Sequence, residues 1–268
     1  MSDGHQMREQ DGPDNQSLSI PWRLGCGRAA VGLSGLVETH SQDIPAGKLL
    51  QTANDESTKV YFIVSGWLTV SKTNPDGHRQ IIDFLLPGNV FDPGSADEIM
   101  ASTDVNALTD AQIAVVPRAS WFGFLADHPQ AHELAIRLGA AGYARIAERL
   151  LRMGRGSAET RIAYAFCELG LRASDRGLVA GREFHLPLTQ QLLGDFVGLS
   201  SVHVSRTISR LVRRGLLSYG DHMDIVIHDI EGLAELAEVD PHDLRREILT
   251  AAREGLPAVG KADGAAER

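Results

Sequence analysis

The stretch LTQQLLGDFVGLSSVHVSRTISRLVRR, residues 188–214, decides how the C-terminal part of this chain folds. Its apolar residues fall at helical spacing in two runs, within 192–197 and within 204–212. Gly198 separates the two runs, and a glycine at that place is typical of a tight turn. The pattern predicts a helix, a turn and a second helix.

Hydroxyl side chains stand where each predicted helix begins. Thr189 can cap the first helix, and Ser200 or Ser201 can cap the second. The second helix carries four arginines and no acid: Arg206, Arg210, Arg213 and Arg214. We interpret this cationic helix as one that enters a DNA major groove, since phosphates attract such a face. A helical hairpin with a merely solvated face is the alternative.

Two short β-prone runs follow the arginines. Residues 215–219 and 224–227 flank a polar turn at 220–222, which predicts a β-hairpin wing beside the two helices. With this wing, the chain resembles the C-terminal DNA-binding domain of the Crp–Fnr family of bacterial transcription regulators. The matching frame consists of Leu188-Thr189-Gln190, Gly198-Leu199-Ser200, Val204-Ser205-Arg206 and Arg214-Gly215-Leu216.

The resemblance implies how the domain contacts double-stranded DNA. Arg206 is expected to bond guanine O6 and N7 in each half-site. The other residues expected at the DNA are Thr189, Gln190, Ser200, Ser201, Val202, His203, Ser205, Arg210 and Arg213. Val202 departs from the family, in which many members carry Glu at this position to accept from cytosine. Because valine offers only an apolar contact, the family operator cannot simply be carried over.

Length and composition bound the protein class. The 268 residues carry a net charge of −9, so positive charge is local, and a protein that coats nucleic acid non-specifically is disfavoured. The N-terminal 19 residues contain no hydrophobic signal segment and no apolar run reaches 18 residues, which predicts a cytoplasmic protein without a membrane span. Cys26 and Cys167 are far apart and form no disulfide framework.

The pattern upstream of residue 127 predicts the other domain. Short β-prone runs separated by glycine turns fill 43–121 and indicate a sandwich or barrel. The order resembles the family's cupin-like β-roll sensor, with Gly47, Gly66 and Gly88 at turns. A short helix around Leu33 precedes it, and a degenerate GxGxxA at 25–30 is attributed to chance because no buried strand precedes it.

A long helix is predicted from Asp127 to Met153, after which residues 154–156 form a hinge. The resemblance makes this the dimerisation helix of a homodimer, with Leu134, Leu138, Ala141, Ile146 and Leu150 at the interface. A helix packed only on its own β-roll is the alternative. The predicted fold is therefore α+β: a disordered lead (1–19), the sensor (20–126), the long helix and hinge (127–154), a winged helix-turn-helix with a helical extension (155–252) and a disordered tail (253–268).

The sensor domain is expected to contain an effector pocket. Candidates for the effector pocket are Gly88, Phe91, Gly94, Ser102 and Thr103. Residues 80–117 hold six acids and no lysine or arginine, so a cyclic phosphate would be repelled and control by cyclic AMP is disfavoured. The alternatives left open are constitutive binding, a hydrophobic small ligand, and haem.

Cofactors are not expected, apart from that haem alternative. Two cysteines cannot supply the four thiolates of an iron–sulfur cluster, and Cys167 is expected to be a buried, inert thiol. His78, His128 and His132 are candidate haem ligands. His128 and His132, at i, i+4 with Glu133 beside them, would suggest zinc, but no third ligand is evident. Because no constellation of nucleophile, base and supporting residues is present, no enzyme is predicted.

Partners follow from the same reasoning. Double-stranded DNA and a second copy of the chain are expected, and the resemblance adds RNA polymerase. The competing function is a sensor or interaction module whose winged helix binds a protein. Salt dependence separates the two, because binding through phosphates weakens steeply with salt.

Overall fold

The computed structural model describes residues 29–94, 100–178, 183–220 and 224–250. The predictions for the disordered lead and tail, for the glycine motif up to residue 28, for Cys26 and for the tip of the wing lie outside the described residues.

Two four-stranded antiparallel sheets form the N-terminal domain. They contain β1 (Ser41–Ile44), β2 (Leu49–Gln51), β3 (Lys59–Ser65), β4 (Leu68–Thr73), β5 (Arg79–Leu85), β6 (Val90–Phe91), β7 (Asp104–Ala107) and β8 (Ala111–Pro117). The strand orders are β1-β8-β3-β6 and β2-β7-β4-β5. Tyr61, Ile63, Leu68, Val105 and Ile113 belong to one buried core between them. The predicted β-roll is confirmed.

Glycine turns connect these strands, as the sequence predicts. Gly47, Gly66 and Gly88 have φ angles of 79°, 78° and 85°, in the left-handed region that favours glycine. Gly66 is further constrained, because a Cβ there would lie 2.4 Å from the carbonyl oxygen of Asp110. The turn between β3 and β4 therefore has room only for glycine.

Three helices pack on the β1-β8-β3-β6 sheet: α1 (Ala30–Thr39), α2 (Arg118–Asp127) and the 27-residue α3 (Pro129–Arg155). The aromatic ring of Trp121 lies edge-on to Phe62, with centroids 5.0 Å apart. Leu33 of α1 and Leu134 of α3 share this core. The predicted long helix is confirmed; it ends at Arg155, and Gly156 after it has an extended backbone, while the hinge at 154–156 stays a prediction.

The C-terminal domain is a winged helix-turn-helix followed by two short helices. Its elements are α4 (Ala158–Asp175), β9 (Glu183–His185), α5 (Gln190–Val197), α6 (Ser201–Arg213), β10 (Leu217–Tyr219), β11 (Asp224–Ile227), α7 (Ile230–Leu236) and α8 (Pro241–Ile248). The wing has three strands in the order β10-β11-β9 rather than the two in the prediction. β9 was missed because it is a run of three residues that lies upstream of both helices and so apart from the predicted hairpin.

The two domains share one hydrophobic core. Trp67, Ile81 and Phe84 of the β-roll belong to the same buried cluster as the interior of the C-terminal domain. The rings of Phe84 and Phe196 have centroids 4.8 Å apart, so α5 packs directly on β5. The C-terminal domain is thus fixed against the β-roll of its own chain.

Candidate nucleic-acid interface

The helix-turn-helix is formed by the side chains that the sequence indicates. The Thr189 hydroxyl accepts a hydrogen bond from the Leu192 amide at 3.0 Å, and the Ser200 hydroxyl accepts from the His203 amide at 3.4 Å. Gly198 has φ +68° and ends α5 in the left-handed region. A Cβ on Gly194 would lie 2.5 Å from the Leu199 carbonyl oxygen. Because glycine has no Cβ, α5 and the turn can approach each other this closely.

Helix α6 has one buried face and one exposed face. Val204, Ile208 and Leu211 pack in the domain core. On the exposed or half-exposed side lie the residues predicted to meet DNA: Ser201, Val202, His203, Ser205, Arg206, Arg210 and Arg213. Thr189 and Gln190 lie at the start of α5. The structure therefore places all of these residues where a duplex can reach them.

Sequence reasoning missed Ser209, which belongs to the same exposed face. It lies three residues after Arg206 and four after Ser205, and its hydroxyl donates to the Ser205 carbonyl at 2.9 Å. Its spacing from Arg206 is the signal that would have identified it.

The four arginines of the cationic helix are not equivalent. Arg210 and Arg214 approach the carboxylate of Glu159 in α4, at 3.2 and 3.8 Å. Arg206 and Arg213 are exposed and form no ion pair within the part of the chain that the structure describes. Arg206 and Arg213 are therefore the freest to bind an anionic partner, while Glu159 partly neutralises the other two.

A cavity of about 420 Å³ lies between the β-roll and α3. Most of its lining is apolar, including Val60, Ile82, Phe91, Trp121 and Leu138. Its polar and charged members include Asp83, Asn89, Asp92 and Arg145. A cavity of this size fits a small organic ligand.

The predicted effector residues are only partly brought to this cavity. Phe91 lines it, whereas Gly88, Gly94, Ser102 and Thr103 do not. The Ser102 amide donates to the Pro93 carbonyl at 2.8 Å, and Thr103 is buried with a hydroxyl that has no hydrogen-bond partner among the described residues. β5, β6 and α3 supply most of the wall of this cavity, and an effector site at the other four residues stays a prediction.

Basic side chains reach the acidic interval 80–117 in the folded chain. Arg118, one residue beyond the interval without basic side chains, donates to Asp92 at 2.8 Å and lies against Gly94. Arg145 reaches the cavity from α3. Tertiary structure thus brings two cations to a region that is purely acidic in sequence, and an aspartate lies within ion-pair distance of each.

The candidate cofactor ligands do not form a common site. His78 and His132 are exposed, while His128 stacks on Phe124 at 4.2 Å and hydrogen-bonds its carbonyl. Cys167 is buried, and burial raises the pKa of its thiol to about 12, which agrees with an inert cysteine. Among the described residues, no helix has the length and apolar character needed to cross a membrane.

The long helix has two apolar stripes on opposite faces. Leu134 and Ala141 are buried within the chain, and Leu138 is half-buried beside them. On the opposite face lie Ile136, Ala140, Tyr143, Ala147, Leu150 and Gly154, which alternate in steps of four and three residues. Ile136, Tyr143 and Leu150 are 61%, 75% and 68% exposed.

This geometry revises the predicted dimer face. Leu134 and Ala141 cannot meet a partner because they are buried within their own chain. Ile146 lies at the side and lines the cavity, and Leu150 is the predicted residue that lies in the exposed stripe. The error arose because the sequence shows both stripes, and the inward one was chosen.

Comparison with known proteins matches both domains. A family model described as a Crp-like helix-turn-helix domain matches residues 144–236, and one described as a cyclic nucleotide-binding domain matches 41–128. The nitrogen fixation regulation protein FixK of Rhizobium meliloti is 30% identical over 71% of this chain and 83% of its own length. FixK of Azorhizobium caulinodans is 31% identical over 66% and 71%, respectively.

The chain belongs to the Crp–Fnr family. The solved structure of FixK2 from Bradyrhizobium japonicum is similar, with a TM-score of 0.64, 26% identity and coverage of 73% of this chain and 96% of that one. This member of the Crp–Fnr family is accordingly a DNA-binding transcription regulator and not an enzyme.

Proposed function

We propose that this Crp–Fnr regulator binds, as a homodimer, an inverted-repeat operator with α6 in the major groove of each half-site. The observation that carries the proposal is the exposed, acid-free face of α6 on a capped helix-turn-helix. In a two-fold dimer, the two recognition helices would lie about one DNA turn apart, roughly 34 Å. A site on chromosomal DNA would place the protein in the cytoplasm.

Within each half-site, we assign Arg206 to guanine, because its guanidinium is exposed and can bond O6 and N7 together. Ser201, Ser205 and His203 would approach other base edges, and Val202, which is 55% exposed, would contact a thymine methyl. Thr189, Gln190, Arg210 and Arg213 would bind phosphates, which fix register without carrying sequence information.

The exposed stripe of α3 supports the dimer. Large side chains at positions 136, 143 and 150 alternate with small ones at 140, 147 and 154, a pattern that lets two helices interlock closely. Because this stripe is unpartnered within the described chain, a second copy would bury it. The same contact would cover Tyr143, which lines the cavity.

We propose that this regulator does not respond to cyclic AMP. The largely apolar cavity supports a hydrophobic small ligand instead, and haem stays an alternative without a ligand set that favours it. Activation would require contact with RNA polymerase, whereas repression would not. An increase in reporter expression would therefore support RNA polymerase as a partner.

The test is fluorescence anisotropy with an operator duplex and a scrambled duplex across a salt series. We expect operator affinity to fall by about a thousandfold or more between roughly 50 and 200 mM salt, since a dimer would release many counterions. Equal affinity for both duplexes, or a flat salt response with tight binding to a protein partner, would favour the interaction-module alternative.

A further inference from the structure

A buried group of charged side chains joins three parts of the molecule. We call it the interdomain cluster: Asp83 of β5, Arg145 and Arg149 of α3, and Glu168 and Arg172 of α4. β5 belongs to the sensor, α3 is the long helix and α4 is the first helix of the DNA-binding domain. The Asp83 carboxylate therefore lies within ion-pair distance of all three arginines of the cluster. Two of these arginines belong to the long helix and one to the DNA-binding domain.

The distances show how tightly Asp83 is held. One carboxylate oxygen accepts from Arg172 at 2.8 Å, the other accepts from Arg145 at 3.0 Å, and Arg149 lies 3.6 Å away. Arg172 also donates to the backbone carbonyl of Phe84 and to Glu168, the latter at 3.0 Å. Since these donors come from different segments, the contacts fix the position of α4 relative to β5.

The cluster is almost inaccessible to solvent. Asp83 is 8% exposed and Glu168 is fully buried. Burial by itself raises the pKa of Asp83, but the guanidinium groups of Arg172, Arg145 and Arg149 outweigh it and hold that pKa well below its usual range. A buried ion pair is costly to break, because the remaining charge loses its partner.

Further contacts at the same boundary attach α5 to β5. Arg79 donates to Asp195 at 2.7 Å, and the Gln80 side-chain Nε2 donates to the Phe196 backbone carbonyl at 3.1 Å. The DNA-facing side of α6 is not covered by these contacts, as Arg206 stays exposed. The attachment consequently restricts the orientation of the DNA-binding domain without occluding its recognition helix.

We propose that Asp83 is a positioning residue for operator binding, which holds the DNA-binding domain in the orientation that lets a dimer engage both half-sites at once. This inference rests on the proposed function. Fixing the orientation in advance lowers the entropy lost when the second half-site is bound, so the gain applies to the full operator and not to one half-site. Asp83 and Arg145 also line the sensor cavity, so a ligand there would contact the same group.

The experiment compares Asp83→Asn with the unmodified protein on a full operator and on a duplex with a single half-site. Asn keeps the shape of the side chain and removes the charge that the arginines bind. We expect full-operator affinity to fall about tenfold or more while half-site affinity changes less than about twofold. Asp76→Asn, which removes the same charge from the exposed β4–β5 turn, is the matched control and should leave both affinities unchanged.

A second variant keeps the test open if Asp83→Asn does not fold. Arg79→Ala breaks the Arg79–Asp195 pair at the same boundary, where the Arg79 side chain is 38% exposed and Asp195, 13% exposed, keeps the hydrogen bond from the Gln191 side chain at 2.7 Å. It should lower the affinity for the full operator by a smaller factor, again without an effect on the half-site. An equal loss on both duplexes, or no loss in a folded variant, would overturn the proposal. Equal affinity of the unmodified protein for the full operator and a scrambled duplex would instead refute the proposed function.

Discussion

Replacing Leu150 with glutamate should dissociate the proposed dimer. Leu150 is 68% exposed in one chain, and full burial of a leucine is worth about 1.5–3 kcal/mol. Covering that exposed part would contribute about 1–2 kcal/mol per chain and twice that in a symmetric pair. The loss of about 2–4 kcal/mol corresponds to a dimer dissociation constant raised roughly 30- to 700-fold. Desolvation of the new carboxylates adds to this cost.

Sedimentation velocity over a concentration series measures this directly. We expect the unmodified protein to remain a dimer at concentrations where Leu150→Glu is a monomer with a native circular dichroism spectrum. Val31→Glu is the control, because Val31 of α1 is 82% exposed and lies outside the stripe. An unmodified protein that is monomeric, or a Leu150→Glu variant that dimerises as tightly as the control, would refute the assignment of this face.

Two further predictions concern Glu159 and Cys167. Glu159→Gln should release Arg210 and Arg214 for phosphate contacts and raise affinity for operator and scrambled DNA alike by about two- to fivefold. The slope of log affinity against log salt should become steeper, and an unchanged slope in anisotropy titrations would count against this prediction. In a Cys26→Ser background, Cys167 of the folded protein should react with iodoacetamide at pH 8 far more slowly than in denaturant, because burial raises the pKa of its thiol to about 12. Equal reaction rates of folded and denatured protein, measured by mass spectrometry, would disprove the inert-thiol assignment.

The local features of the DNA-binding domain were readable from sequence because each depends on neighbouring residues. Thr189 and Ser200 cap helices within three residues, and Gly198 adopts the left-handed conformation that its place in the pattern indicates. The glycine turns of the β-roll were predictable for the same reason. The spacing of apolar residues and the glycines at the turns determined these elements, so the architecture could be recognised.

The charged interior was not readable in this way. Arg145, Arg149 and Arg152 continue the inward stripe of α3 after Ala141, yet arginines are ordinarily expected on a surface. The burial of Arg145 and Arg149 depends on acids from distant segments, above all Asp83, whereas Arg152 pairs with Glu148 one turn away and donates to the backbone carbonyls of Ala237 and Glu238. A single acid in a β-prone run gives no sign of such partners.

The residues that line the cavity were not readable from sequence for a related reason. The acidic interval 80–117 suggested an unpaired negative wall, but tertiary contacts bring Arg118 to Asp92 and Arg145 to Asp83. Local charge counts describe a sequence, whereas the field inside a cavity depends on every element that surrounds it. The prediction about cyclic AMP consequently rests on the apolar lining more than on repulsion.

The most direct measurement for the central claim is selection of binding sites from random duplex DNA by the unmodified protein and by Arg206→Ala. The account predicts that the unmodified protein selects an inverted repeat with half-site centres about one helical turn apart and a guanine in each half-site. Arg206→Ala should keep the repeat but lose preference at that guanine, with about 1–3 kcal/mol less specific binding per half-site. Selected sequences without two-fold symmetry, or an unchanged guanine preference in Arg206→Ala, would contradict it.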